Sequence, residues 1–126
     1  YRNVDFNTYG FLNATEDFID HHADVAQVVV EAYEEARTWA LANLEETAQL
    51  LADAAGIDLE VATTVITERS NLDVSGVPGE DQLAVLEAIS PMLADSGDVA
   101  DGADAVEQAR AEIIHDAFAL AAVEAQ

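Results

Sequence analysis

The chain has 126 residues, 51% of them apolar, enough for one compact domain with a core and too few for two ordinary ones. Twenty-six acidic residues face four arginines and no lysine, a formal charge of −22 at pH 7, and a field of that sign repels phosphate backbones and anionic lipid and so excludes nucleic-acid binding. There is no cysteine, hence no disulfide framework or thiol chemistry, and no run of about 18 apolar residues that would cross a membrane.

Such acidity fits either a surface for cations and basic partners or a chain from an acid-biased, high-salt proteome whose carboxylates keep the surface hydrated; the second is favoured. Self-repulsion predicts a fold that gains stability as salt screens it. Much of the apolar content is alanine, which forms helix well and buries little area. Closely packed helices are expected, anchored by Trp39, Phe11, Phe18 and Phe118. The chain opens at Tyr1 with neither Met nor a signal peptide, so processing or a cut from a longer protein is expected.

Residues 4–12 read as a strand or extended entry, with Phe6, Tyr9, Phe11 and Leu12 around Gly10. A lone strand needs a partner for its backbone, from elsewhere in a longer chain or from a second copy. Thr15 is placed to N-cap a short helix reaching about Ile19, with Glu16 and Asp17 complementing its dipole. After His21 and His22 a long helix opens at Ala23 or Asp24. In it Val25, Val29, Ala32, Ala36 and Trp39 recur every three or four residues, an apolar stripe expected to be buried. Glu31, Glu34, Glu35 and Arg37 occupy much of the remaining circumference.

This helix is expected to end near Ala42, where Asn43 followed by Glu46 resembles a capping box for the next one. That helix carries Leu50, Leu51 and Ala54 and stops at Gly56. Asp58 then caps a third helix with Val61, Val65 and Ile66, ending near Arg69 and Ser70. Gly76, Pro78 and Gly79 mark residues 71–79 as an extended loop. A fourth helix covers about 80–94 with Leu83, Leu86 and Ile89 inward, and Pro91 predicts a kink or break near Ser90. Ser96 and Gly97 end it, and an acidic loop fills 98–103. Asp104 caps a final helix with Val106, Ala109, Ile113, Ala117 and Leu120, its tail 121–126 frayed. The sum is mostly α, five or six helices behind one N-terminal strand.

Few side chains are grouped for chemistry. His21 and His22 sit among Asp17, Asp20 and Asp24, but neighbouring helical residues point about 100° apart, and one helix face needs a spacing of three or four for a metal. His115 with Glu112 and Asp116 is a weaker version of the same pattern. Asp95, Asp98, Asp101 and Asp104 lack the ligand order and terminal Glu of a calcium loop. Solvated loop and capping roles are expected for all of them, with no metal and no cofactor. Nor does any nucleophile elbow, phosphate loop or distinct carboxylate dyad stand out, so a chain that is not an enzyme is expected. Arg69, at a helix end beside Ser70 and the loop, suits an anion or carboxylate; equally, it complements the helix C-terminal dipole, the commoner role.

Three segments together resemble a known family. Residues 8–18, Thr-Tyr-Gly-Phe-Leu-Asn-Ala-Thr-Glu-Asp-Phe, pass from an aromatic entry through small residues to Asp-Phe. Ala32-Tyr33, then Trp39-Ala40-Leu41-Ala42-Asn43, then Glu46, Ala48, Leu51 and Ala52 make a helix pair of the form Tyr…Ala…Trp-Ala-x-x-Asn…Glu. Residues 61–70 end a helix in Arg-Ser before an extended loop, and 93–119 close with Ser96-Gly97 and Phe118-Ala119. In order and spacing these are similar to the C-terminal region of ABC-transporter solute-binding proteins of the aliphatic sulfonate, taurine and nitrate type. The chain departs from that pattern at Ala23 and Leu44, where the family often has Pro, and at Asn71-Leu72, where an aromatic often follows.

The resemblance implies the C-terminal part of a two-lobed α/β periplasmic-binding-protein fold, with the solute held in a cleft between the lobes. It implies an extracytoplasmic protein that takes a small anionic organic solute to a membrane permease, with Arg69, Tyr9 and Asn13 as the ligand-binding candidates. Apart from that permease, the partner expected of the isolated piece is a second copy, a homodimer formed through its uncovered faces. The competing expectation is a stand-alone acidic helical module that meets a basic partner.

Overall fold

The computed structural model describes residues 10–97, 99 and 102–125. These residues are mostly helical, and none of them forms a strand. Of the entry expected to be extended, residues 10–12 are irregular rather than strand and residues 4–9 lie outside the described residues. No described helix is long and apolar enough to cross a membrane.

Helix α1 spans Glu16–His21, and Thr15 caps it as expected, its Oγ1 accepting the Phe18 N–H at 3.2 Å. His22, at φ −137° and ψ 37°, separates it from α2 at Ala23–Ala42. Helix α3, Leu44–Ala55, begins after Asn43 without the expected capping box. The Asn43 side chain turns back instead, donating from Nδ2 to the Trp39 carbonyl at 2.8 Å, where it serves the open C-terminus of α2. Gly56 ends α3 in the left-handed region at φ 66°, its N–H bonded to the Ala52 carbonyl.

Helix α4, Leu59–Thr64, widens into a π turn at Val65–Arg69. The sequence accounts for this. Residues 63–67 are Thr-Thr-Val-Ile-Thr, five β-branched side chains in a row, which lose χ1 freedom in an α-helix. Thr63 and Thr67 also donate back to the Leu59 and Thr63 carbonyls, at 2.8 Å each, competing with the regular ladder.

Helix α5, Glu80–Ser96, passes through Pro91 without the break expected near Ser90. Pro91 has no N–H for the Glu87 carbonyl, while Ser90 is buried and its Oγ donates to the Leu86 carbonyl at 2.7 Å. At the start of α5 the Gln82 side chain reaches back to accept the Gly79 N–H at 2.9 Å. The expected final helix is divided into α6, Gly102–Glu112, and α7, Ala117–Glu124. Between them lie Ile113, Ile114, His115 and Asp116, all weak helix formers. Helix α7 continues through Glu124, so most of the expected frayed tail is helical.

The core is spread over three helix pairs, α2 with α7, α3 with α4 and its π turn, and α5 with α6. Its central cluster is Ala48, Ala52 and Ala62, with Leu51 and Ile66 packed against them. Ala26, Ala119 and Ala122 are buried as well, and Gln27 ties α2 to α7 through a 3.3 Å bond to the Phe118 carbonyl. Among the described residues no large side chain is fully buried. The expected anchors stay outside: Trp39 is 41%, Phe11 50% and Phe18 37% exposed, and Phe118 is half-buried. Leu83 and Ile89 are exposed too, where an inward position was expected. The contacts are made by alanines, and the larger side chains lie outside them. Replacing Trp39 by Ala should therefore cost less than about 1.5 kcal/mol, and Ala62→Leu, which overfills a fully enclosed site, about 1–3 kcal/mol. Urea midpoints of the two variants check the order; a larger loss for the Trp39 variant would contradict this packing.

Candidate functional site

The stripe of α2 expected in the core faces out, while Glu34, expected in solvent, is buried and Glu31 and Glu35 stay exposed. Glu34, at 8% exposure, is the one described charged residue in the buried class, and Arg37 is half-buried one turn further along. Arg37 Nε donates to Glu34 Oε2 at 2.8 Å and Nη2 to Oε1 at 2.5 Å, a two-pronged pairing that suits the planar guanidinium. Its third nitrogen, Nη1, donates to the Leu72 carbonyl at 2.7 Å, 35 residues along the chain.

The loop at 71–79 is thus clasped to α2. Gly76 lies against the Glu34 carboxylate so closely that a Cβ there would stand 2.7 Å from Oε2. Any larger residue there would require the Glu34 carboxylate to shift. The loop is shaped locally by Asn71, whose Oδ1 accepts the Asp73 N–H, and by Ser75, whose Oγ accepts the Val77 N–H. The Arg37 hydrogen bonds hold the Glu34 carboxyl below the usual carboxylate range, against the opposing pull of burial. Glu34 in turn raises Arg37, with the charge of Asp73 adding to the effect.

Of the ligand-binding candidates, Arg69 closes the π turn, exposed, with no carboxylate within ion-pair distance among the described residues. Asn13 precedes α1, also exposed, its Nδ2 donating to the Phe11 carbonyl at 3.4 Å. Tyr9 lies outside the described residues. Open depressions lie on the surface of the described residues. One, of about 290 Å³, lies between α5 and α6 around Ser90, Pro91 and Val106; another, of about 640 Å³, lies between α1 and α6 around Ile19, Ala109 and His115. Neither is lined by Arg69 or Asn13, so the fold does not bring these two into a shared cavity there.

His21 Nδ1 sits 2.8 Å from the Asp17 carbonyl oxygen, His22 is tilted against Phe18, and the His115 ring stacks on Phe118 with centroids 4.8 Å apart. Among the described residues no three His, Asp or Glu side chains converge as a metal would require. Asp98 and Asp101 of the acidic loop lie outside the described residues. No protein-family model, curated protein or solved structure matches the chain.

The buried pair was legible only in outline: two of the four arginines, Arg37 and Arg110, stand three residues after a glutamate, and a glycine-bearing loop follows the first of them much later. Its energetics are checkable. Arg37→Ala strands a buried carboxylate and should cost about 2–3 kcal/mol at neutral pH. A carboxyl whose pKa is depressed by folding stabilises above its unfolded value, about 4.3 for Glu, and loses that contribution as pH falls through the folded one. Glu34→Gln should therefore be less stable than the parent at neutral pH and converge with it in acid. Two parallel curves of urea midpoint against pH would show that the pair does not titrate as described.

Proposed function

We propose that this chain is the C-terminal, mainly helical part of an extracytoplasmic solute-binding protein of the aliphatic sulfonate, taurine and nitrate type. In the complete two-lobed protein it would help capture a small anionic organic solute for delivery to an ABC permease. The residue patterns at 8–18, 32–52, 61–70 and 93–119 support this reading.

The observation that carries it is the surface of the chain beyond α2. Leu50, Val61, Met92, Leu93 and Ile113 are all exposed around a core made of alanines, the surface expected where further chain packs on top. Arg69 gives the acidic chain an exposed cation beside the π turn, and π turns recur at functional sites. An anion approaching a chain of charge −22 needs a local exception of this kind.

Two measurements test the reading. The reading frame upstream of Tyr1 should encode an α/β lobe behind a signal peptide or lipobox, and a start codon directly before Tyr1 would sink it. Calorimetric titration of the 126-residue chain with taurine or an alkanesulfonate should show no submicromolar binding; joined to the upstream lobe the protein should bind, and Arg69→Ala should weaken that binding by about tenfold or more.

Uncovered apolar surface also favours pairing of the isolated chain with a second copy once salt screens the repulsion, over a Debye length of about 10 Å at 0.1 M. Light scattering should report a dimer at high salt that loosens as salt is removed. A monomer at every salt concentration would favour the second reading, a stand-alone acidic interaction module. The outer face of α2 is the feature that supports that alternative.

A further inference from the structure

In α2, Val25, Val29, Ala32, Ala36 and Trp39 are spaced by four, three, four and three residues, the repeat of a helix-pairing seam. Val28 lies on the same face. Glu34 is two residues from both Ala32 and Ala36, about 200° away around the helix, so the seam points directly away from the clasped face. All six of these side chains are exposed, Val28 to 63%.

One edge of the seam is charged. Asp24, Glu31 and Glu35 follow one another at intervals of seven and four residues, all exposed, while Tyr33 and Ala40 on the other edge are neutral. Glu31 accepts one bond from the Gln27 amide and keeps further lone pairs for a partner. Arg37 is the only basic residue of α2, and it is committed on the opposite side to Glu34 and Leu72. The seam therefore has carboxylates along one edge and no cation of its own.

We propose that this face docks a basic amphipathic helix of another protein, its apolar stripe on the seam and its Lys or Arg side chains beside Asp24, Glu31 and Glu35. The four-three spacing selects a helix over an extended segment. Ala32 and Ala36 at the middle of the seam allow close backbone approach, and Trp39 at one end supplies a large apolar anchor. Charge selects the partner: a second copy brings another acidic edge and another −22, whereas a basic helix neutralises the edge and is steered toward it. The inference stands beside the solute-binding proposal and does not rest on it, since that proposal uses Arg69 and the π turn and this one only the outer face of α2.

The test uses the 126-residue chain and two synthetic peptides of identical composition. One is an amphipathic helix with leucine at the seam positions and lysine beside them; the other is scrambled so that no apolar face forms. The patterned peptide should bind at least about tenfold more tightly than the scrambled one, and its binding should weaken as salt is added. Ala36→Glu, which spoils the seam, and Glu35→Lys, which reverses the edge, should each reduce that affinity by about tenfold. Both sites are exposed, so unchanged circular dichroism separates loss of docking from loss of fold. Ala54→Glu on the exposed side of α3 should leave binding as it was. Equal binding of the two peptides would mean that net charge alone attracts them, which overturns the proposal. So would full affinity in the Ala36 and Glu35 variants, or an Ala36→Glu variant that loses only a high-salt dimer and so assigns the seam to a second copy.

Discussion

Arg37 holds together two stretches of chain 35 residues apart in sequence. Two of its nitrogens grip Glu34 within α2, and the third grips the Leu72 carbonyl beyond the π turn. Each bond serves the others. Without the guanidinium, Glu34 is a carboxylate shut away from water, and a side chain in place of Gly76 would push that carboxylate from its present position against the loop. The side of α2 that meets the loop is therefore set by polar pairing, which leaves the apolar stripe to face the other way.

That inversion follows from what alanine can and cannot do. A contact made of Ala48, Ala52 and Ala62 lets helices approach closely but removes little apolar area from water. Burying Trp39 or the valines of α2 would need a groove lined by large side chains, and alanine-rich neighbours do not form one. The exposed carboxylates keep the chain hydrated while repelling one another, so the modest core works against a repulsion that salt relieves.

Local signals were the best read, though not all of them held: Asp58 precedes α4 without a side-chain cap bond, and Asp104, expected as a cap, lies inside α6. Thr15, Gly56 and Gly97 act within a turn of where they stand, and each ends or begins a helix as its chemistry requires. Periodicity told less. It located a stripe on α2 correctly, but a stripe only says that one face is apolar, and whether anything covers it depends on neighbours far along the chain. Asn43 shows the same limit at smaller scale: it stands between two helix ends, and its side chain serves the carbonyls of α2 rather than the amides of α3. The Thr63–Thr67 run was visible as composition, yet its effect, a widening to a π turn, needs the back-bonding of Thr63 and Thr67 to be seen. Of the candidate site, Arg69 fell at a helix end as expected, whereas the Glu34–Arg37 clasp was missed because two charges three residues apart look like an ordinary solvated face.

The clasp also bears on Arg69. On its N-terminal side the π turn is seated by Ile66, which packs against Ala48, Ala52 and Ala62. On its C-terminal side the chain is caught three residues later, where Arg37 takes the Leu72 carbonyl. Arg69 is thus exposed at its side chain and fixed at its backbone on both sides, which is the arrangement that limits the entropy lost when a cation meets a ligand. An arginine on an untethered loop would have to be ordered first. The π turn adds a geometric consequence: one extra residue in the turn shifts every later side chain around the helix by roughly 100° relative to an unbroken α-helix. Arg69 ends a π turn, where the five β-branched residues at 63–67 disfavour the α-helix, and the loop that follows it is held by a buried ion pair on a different helix.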